Sequence, residues 1–275
     1  MSEKNVQTGG DLEGVLAQVS NQLRSSLGNI YNDLSRIAPP ELRDGDTGID
    51  RDAAVLCQSY YRILRLANNL SDAANLEGPS TAKLCNGDLV GLCRDVMRRA
   101  ELPAQLLGIQ LSFQCGKASH IVAMDGERLE CLLLNLLSNA FKFIRADEKL
   151  VRLEIRVNRE WVELALSDTG SGIAPELLET VFDRYLHTRR LDPPPHGLGL
   201  GLPICRRIAQ EHGGSLVLTS TVGVGTTVTV SLPNRKLREQ ALGTFQTELG
   251  GGFNQTLVEL ADALPREAFT QKYMD

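Results

Sequence analysis

The first part of the chain carries apolar side chains at helical spacing, and this periodicity limits the possible folds more than any other feature. One stripe covers residues 12–37 and a second covers residues 55–76, with members recurring mostly every three or four positions. Each stripe is followed by a helix-ending pair, Pro39-Pro40 and Gly78-Pro79. Two amphipathic helices with a modest polar connection predict an antiparallel helical hairpin over residues 12–77.

A single hairpin of this kind cannot bury both of its apolar stripes. Self-association into a dimeric four-helix bundle would cover them, so we expect a homodimer formed through the hairpin. The alternative is that the hairpin folds back on a C-terminal domain of its own chain.

The sequence after the hairpin mixes helical and alternating patterns. We expect a flexible N-terminus at residues 1–11, a linker at residues 78–83 and one domain over residues 84–233. Because helices and period-two strands alternate there, the expected fold class is α+β, a helical hairpin followed by an α/β sandwich. Residues 234–275 form a tail with a possible helix from Phe253 to Phe269.

Composition and charge exclude several functions. The net charge is −5, and a mildly acidic chain lacks the basic face that sequence-independent nucleic-acid binding requires. No apolar run is long enough to span a bilayer, so we expect no membrane insertion and a cytoplasmic location. The six cysteines are scattered without a C-x-x-C pair, which favours reduced, packed thiols over zinc ligation or disulfides.

A first candidate motif is N-L-L-S-N-A-F-K-F, residues 135–143. On a helix, the spacing places Asn135, Asn139 and Lys142 on one face. An asparagine carbonyl oxygen is a hard ligand that suits Mg²⁺, and lysine supplies a compact cation for a phosphate. Polar residues on one helix face are by themselves usually solvated, so this motif alone is weak evidence for a binding site.

A second motif is D-T-G-S-G-I, residues 168–173, at the end of a predicted strand. The glycines at 170 and 172, with Ile173 after them, would let backbone approach a planar ligand closely. Asp168 could accept a hydrogen bond from the exocyclic amine of adenine. Taken alone, the same residues are equally those of an ordinary turn with an aspartate cap.

A third motif is G-L-G-L-G-L-P-I, residues 197–204, which leads into a helix. Its first five residues are Gly197, Leu198, Gly199, Leu200 and Gly201. Backbone N–H groups at a helix N-terminus form an anion site suited to phosphates. The preceding polar segment, residues 184–196, has the composition expected of a lid over a nucleotide.

The order of these motifs is more specific than any one of them. With V-F-D-R-Y (181–185) and G-V-G-T-T (223–227), the set resembles the ATP-binding domain of sensor histidine kinases, in the GHKL (HATPase) superfamily. The resemblance implies that the cofactors are ATP and Mg²⁺, that Asn139 holds the metal and that Asp168 reads adenine. It also implies that Lys142 and the 197–201 glycines face the triphosphate, and that Phe182 anchors the lid.

The resemblance gives Asn135 and Lys142 as the catalytic residues, assigns further residues to the nucleotide site and extends to the hairpin. These further residues are Asn135, Gly170, Gly172, Ile173, Leu198, Leu200 and Thr226. The hairpin resembles the family's dimerisation and phosphotransfer hairpin, so the implied partners are a second copy and a response regulator, phosphotransfer protein or partner kinase of two-component signalling.

One departure from the family pattern bears on function. Where the family carries S-H-E-L-R-T-P-L, this chain has S-N-Q-L-R-S-S-L at residues 20–27. Asn21 replaces the phosphoaccepting histidine, Gln22 the adjacent acid and Ser26 the proline. The amide nitrogen of asparagine has its lone pair delocalised into the carbonyl, and glutamine cannot act as a general base. All four histidines lie outside the hairpin.

Three functions are consistent with these residues. The first is a histidine-kinase-like protein that binds Mg·ATP but does not phosphorylate itself. The second is an active kinase that phosphorylates a histidine on a partner in trans. The third is a non-enzymatic dimeric scaffold. Family members that hydrolyse ATP usually carry a glutamate where this chain has Asn135, so rapid hydrolysis is not expected.

Overall fold

The computed structural model describes residues 4–74, 76, 78–80, 82–144, 147–183, 199–238 and 254–274, with backbone only at 4–13, 17 and 274. Contacts divide the chain into two units. The first unit is Met1–Pro79 together with Leu264–Asp275, and the second is Ser80–Ala263. The expected fold class is confirmed: a helical hairpin precedes a mixed α/β sandwich.

The first unit is built on the predicted hairpin. Its elements are α1 (Lys4–Ile37), the short α2 (Pro40–Gly45) and α3 (Thr47–Ala74). The helix α1 begins before residue 12, where the apolar stripe begins, because a helix that is already nucleated extends at little cost. The polar connection contains α2, which has a proline in its first turn.

Contacts between α1 and α3 show that the hairpin is antiparallel. The Ser20 hydroxyl donates to the Ala67 carbonyl oxygen over 2.6 Å, while the Tyr31 ring lies 4.9 Å from the Tyr60 ring. Leu27, between them on α1, is 4% exposed. These contacts take up only part of the predicted stripe. The apolar residues of α1 that stay exposed are Val15, Val19, Leu23, Ile30 and Ile37.

A buried arginine joins the hairpin to the C-terminal residues of the same unit. Arg43 of α2 is 7% exposed, and its guanidinium contacts the Asp50 carboxylate at 2.8 Å and donates to the Phe269 carbonyl oxygen at 2.8 Å. Asp50 in turn accepts from the backbone N–H of Gln271. Charge-assisted hydrogen bonds of this kind are stronger than neutral ones, so they fix the end of the chain against the helix connection.

The second unit contains a five-stranded sheet. Its strands are β2 (Gln110–Cys115), β4 (Leu150–Val157), β5 (Trp161–Asp168), β6 (Ser215–Thr221) and β7 (Gly225–Pro233). Their order is β2-β4-β5-β7-β6, with β2 parallel to β4 and the other pairs antiparallel. A separate antiparallel pair, β1 (Cys85–Asp88) with β3 (Ile121–Met124), was not expected from the sequence.

Helices cover one face of the sheet. They are α4 (Leu89–Leu106), α5 (Gly126–Phe143), α6 (Pro175–Leu178) and α7 (Gly201–Glu211). A further helix, α8 (Gln255–Leu260), packs on α5 and α4. Period-two alternation turns Val151, Leu153 and Ile155 of β4 towards the helices, and all three are buried. The central helix α5 packs against α4, α7 and α8. Its leucine-rich surface therefore forms the middle of the core.

The N-terminus of α5 is fixed by a histidine on α7. The Asp125 side chain caps α5 by accepting from the Arg128 N–H, and the Asp125 N–H donates to Nε2 of His212. Because Nε2 accepts, the proton of neutral His212 lies on Nδ1, which donates to the Ile208 carbonyl oxygen at 2.7 Å. This histidine is buried and structural.

The C-terminal region differs from the single tail helix expected over Phe253–Phe269. It contains α8, a 3₁₀ helix at Arg266–Phe269 and a last turn, α9 (Gln271–Met274). Pro265 cannot continue a helix, and it stands between α8 and the 3₁₀ helix. The region also divides between the two units after Ala263. Within the described residues, no helix has the length and hydropathy to cross a bilayer.

Candidate functional site

Asp168 lies at the end of β5, where the strand pairs with the start of β7. Its Oδ1 accepts from the backbone N–H of Gly170 at 2.7 Å and from that of Thr226 at 3.3 Å. Within the described part of the chain, no hydrogen bond reaches its Oδ2. One carboxylate oxygen is therefore used to hold the protein together, and the other is available to a ligand.

The surroundings of Asp168 act on its ionisation in two directions. Burial raises the pKa of the carboxyl above its usual value, since desolvation disfavours the charged form. The N–H groups of Gly170 and Thr226 oppose this effect, because they hydrogen-bond to the charged form. The net result is a half-buried carboxylate with a raised pKa.

The glycine loop after β5 lies close against neighbouring backbone. A Cβ at Gly170 would stand 2.8 Å from the Phe143 carbonyl oxygen, which accepts from the Ser171 N–H at 3.0 Å. Gly172 has φ +68°, and a Cβ there would overlap the Thr221 carbonyl. Only glycine fits at either position, so the loop is held between the end of α5 and the end of β6.

Ser220 is a site residue that the sequence reasoning missed. Its Oγ accepts from the Ile173 N–H at 2.9 Å, lies 3.0 Å from the Gly225 carbonyl oxygen and lies 2.9 Å from Oγ1 of Thr226. It is opposite Thr226 in the β6–β7 register. The signal available in sequence was only a hydroxyl residue before the G-V-G-T-T turn. Ser220 joins the glycine loop to the strands.

The predicted polar face of α5 is only partly open. Asn135 is fully buried, and its amide donates to the Cys131 carbonyl oxygen at 3.0 Å. A Cβ on Gly201, the first residue of α7, would lie 3.2 Å from Asn135 Oδ1 and 3.9 Å from Asn139 Nδ2. Asn139 remains half-buried. The structure thus brings both asparagines to the N-terminus of α7, with Asn139 the more accessible.

The structure describes part of the third motif and Phe182, the residue predicted to anchor the lid. Gly199 has φ +69°, and the side chain of Leu200 is buried just before α7. Phe182 is half-buried, with the Arg206 guanidinium 5.3 Å from its ring centre. Gly197, Leu198 and the predicted lid at 184–196 lie outside the described residues. Their assigned roles stay predictions.

Lys142 has a partner that spacing could not reveal. Its Nζ lies 3.2 Å from Oδ2 of Asp262, just beyond α8, and the two side chains are 13% and 8% exposed. The lysine predicted to face a triphosphate is therefore paired with a carboxylate of the C-terminal segment. Its phosphate role stays a prediction.

The S-N-Q-L-R-S-S-L stretch, residues 20–27, lies on a continuous part of α1. Asn21, Gln22 and Ser26 are exposed, and no proline bends the helix at this point. Arg24 donates to the Asn68 amide oxygen of α3 at 3.1 Å. Asn21 thus stands where a side chain is accessible to solvent.

The donor set near Asn139 limits how a metal could bind. Among the described residues, no group of three or more histidine, cysteine, aspartate or glutamate side chains could hold an ion. A site with one neutral amide oxygen suits Mg²⁺ bound mainly through water and substrate phosphates. It does not suit zinc, which needs nitrogen or sulfur ligands.

Comparison with known proteins agrees with this architecture. The family of histidine kinase-, DNA gyrase B-, and HSP90-like ATPases matches residues 124–236. Sensor protein SrrB of Staphylococcus aureus strain N315 is 30% identical over 220 residues, 79% of this chain and 37% of SrrB. SrrB of strain NCTC 8325 is 29% identical over the same shares. The crystal structure of full-length ShkA in complex with AMPPNP has 25% identity and a TM-score of 0.63, covering 83% of this chain and 47% of ShkA.

Together, the fold and these matches define the class. Residues 124–236 match the GHKL ATPase family and have its α/β sandwich fold. With the hairpin before it, the chain is similar to sensor histidine kinases, and it spans about 37% of the length of the curated relatives it matches.

Removal of the Ser220 hydroxyl should loosen the glycine loop. In Ser220→Ala, the Ile173 N–H loses its acceptor, and a part-buried backbone donor without a partner costs about 1–3 kcal/mol. We expect faster amide hydrogen exchange at Ile173 than in the unaltered protein. Ser215→Ala, at an exposed position on the same strand, is the control. Equal exchange at Ile173 in both variants would show that Ser220 does not hold the loop.

Proposed function

We propose that this protein is a dimeric, histidine-kinase-like regulator of cytoplasmic two-component signalling that binds Mg·ATP and does not phosphorylate itself. The ATP site is the GHKL domain, and the hairpin is the dimer interface. Its partners are a response regulator, a phosphotransfer protein or another kinase.

The observation that carries the nucleotide proposal is the arrangement of Asp168. A carboxylate with one oxygen fixed by backbone and the other uncommitted can accept from the exocyclic amine of adenine. Guanine presents a carbonyl oxygen at that ring position, so the same carboxylate would repel it. Gly170 and Gly172 leave room for a planar base beside it.

The residues proposed to bind the phosphates lie on α5 and at the start of α7. Asn139 would hold Mg²⁺ through its amide oxygen, and the metal would supply positive charge for the phosphates. The first amides of α7 have no helical acceptor, and Gly201 brings them next to Asn139. Magnesium and helix N-terminus would thus neutralise the phosphates from two sides.

Substitution of Asp168 should weaken ATP binding, whereas substitution of an acid away from the site should not. Asp168→Ala removes a charge-assisted hydrogen bond of about 1.5–3 kcal/mol, so we expect roughly a 10- to 150-fold rise in Kd for Mg·ATP. Isothermal titration measures this. Asp95→Ala is the control, because Asp95 is an exposed acid on α4 whose nearest cation is 3.9 Å away. Absence of ATP binding by the unaltered protein would disprove the proposed site.

The proposal that the protein does not phosphorylate itself rests on the side-chain chemistry at residue 21. Asn21 is exposed, so burial does not prevent phosphorylation there. What is missing is a nucleophile, because an amide nitrogen has no free lone pair. Gln22 also cannot remove a proton. A bound ATP would therefore find no phosphoaccepting side chain at the family position.

Incubation with γ-labelled ATP should leave the protein without acid-labile phosphate. A histidine phosphoramidate is lost in acid, so autoradiography before and after acid treatment identifies it. The double variant Asn21→His, Gln22→Glu supplies both missing groups and is expected to gain label, with Asn21→His, Asp168→Ala as the unlabelled control. Label on the unaltered protein would overturn the proposal, and label on an added partner protein would favour phosphorylation in trans.

The dimer proposal rests on the exposed apolar residues of the hairpin. Val15, Val19, Ile30 and Ile37 follow one side of α1, and each is at least 43% exposed. The helix α3 adds Val55, Leu56 and Ile63, which are also exposed. Exposed apolar side chains on two paired helices are what a four-helix bundle buries.

A charge in this surface should separate the dimer. Ile30→Glu would bury an unpaired carboxylate, so we expect the dimer dissociation constant to rise on the order of 100-fold. Analytical ultracentrifugation measures it. Val217→Glu is a matched control, because Val217 is as exposed as Ile30 but lies on β6. A dimer of unchanged stability in Ile30→Glu would place the interface elsewhere.

A further inference from the structure

The ion pair between Lys142 and Asp262 differs from the surface pairs of this chain. Its atoms are 3.2 Å apart, and the side chains are 13% and 8% exposed, whereas the Arg36–Asp33 pair is 84% and 70% exposed. Water screens a buried pair little, so the charges interact strongly. Removal of one partner therefore costs the other a strong electrostatic interaction.

Lys142 belongs to the wall of the candidate nucleotide site. It follows Asn139 by three residues on α5, and the next residue, Phe143, accepts the Ser171 N–H of the glycine loop. A flexible lysine at this place can direct its ammonium either to a ligand beside Asn139 or to a neighbouring element. In this structure it reaches the neighbouring element.

Asp262 is held in place by the segment that carries it. The helix α8 packs on α5 and α4, and Asn254 caps it by accepting from the Leu257 N–H. Leu260 and Ala261, directly before Asp262, are fully buried. The carboxylate is therefore a preorganised partner of Lys142 and not a side chain that meets it by chance.

Carboxylate and phosphate oxygens compete for the same kind of cation. Both are hard anionic acceptors, and an ammonium binds either as a point charge. A ligand with more phosphate charge competes better with a fixed single carboxylate. The Lys142–Asp262 pair would thus lower the binding affinity for adenosine very little and the affinity for phosphorylated nucleotides more.

We propose that Asp262 is an intramolecular competitor of nucleotide phosphates for Lys142, so that the segment 254–263 lowers the affinity of the site for ATP. This inference rests on the proposed nucleotide function. Bound triphosphate takes Lys142 from Asp262, and the C-terminal segment loses one of its attachments to α5.

Variants at both residues test the competition by titration with ATP, ADP and adenosine. Asp262→Asn keeps the shape of the side chain and removes its charge, so we expect ATP to bind about tenfold more tightly, ADP less so and adenosine within about twofold. Lys142→Met should weaken ATP binding, and the double variant should show no gain from Asp262→Asn. Glu267→Gln, at an exposed acid of the same C-terminal region, is the matched control.

Hydrogen exchange on the unaltered protein gives a second measurement that needs no variant. Saturating Mg·ATP should increase exchange at the amides of residues 257–262, while adenosine should not. Unchanged or weaker ATP binding by Asp262→Asn, or unchanged exchange on ATP binding, would overturn the competition. If adenosine and ATP both fail to bind every form of the protein, the proposed function itself fails.

Discussion

The hydrogen bonds to Asp168 Oδ1 hold the candidate site together. They come from two separate segments, the glycine loop after β5 and the start of β7, so one oxygen fixes where both segments leave the sheet. Gly225 has φ +138°, and a Cβ there would overlap the Asp168 carbonyl. The strand end, the turn and the loop are therefore compatible only in this arrangement, and Ser220 then fixes the loop at its far end.

The sequence predicted those parts of the fold that depend on local periodicity. The apolar stripe of α5 and the alternation of β4 and β5 can be read in the sequence, because burial of one face imposes its period on the chain. The β1–β3 pair was not, since four-residue strands are too short to show alternation. Ser220 was not predicted for a different reason. Its role comes from its register opposite Thr226, which no local pattern encodes.

Lys142 shows that sequence spacing predicts the helix face of a side chain but not the residue it contacts. Helix spacing predicts Asn135, Asn139 and Lys142 on one face of α5, yet the three side chains have different surroundings. Asn135 is buried against Gly201 at the start of α7, whereas Lys142 meets a carboxylate 120 residues further along the chain. Which neighbour covers each position follows from the packing of α7 and α8, and that is a property of the whole unit.

The free energy of folding does not account for Asp168 or for Asn21. Burial raises the pKa of Asp168, which means that the fold disfavours its ionised form, and one of its oxygens has no donor among the described residues to offset that cost. A neutral side chain of the same shape would serve packing better. Asn21 is exposed, where a histidine would disturb the hairpin little. Under the proposed function, both identities have a role in the chemistry of the ligand: the carboxylate would accept from an amine donor in one unit, and residue 21 would supply no nucleophile in the other.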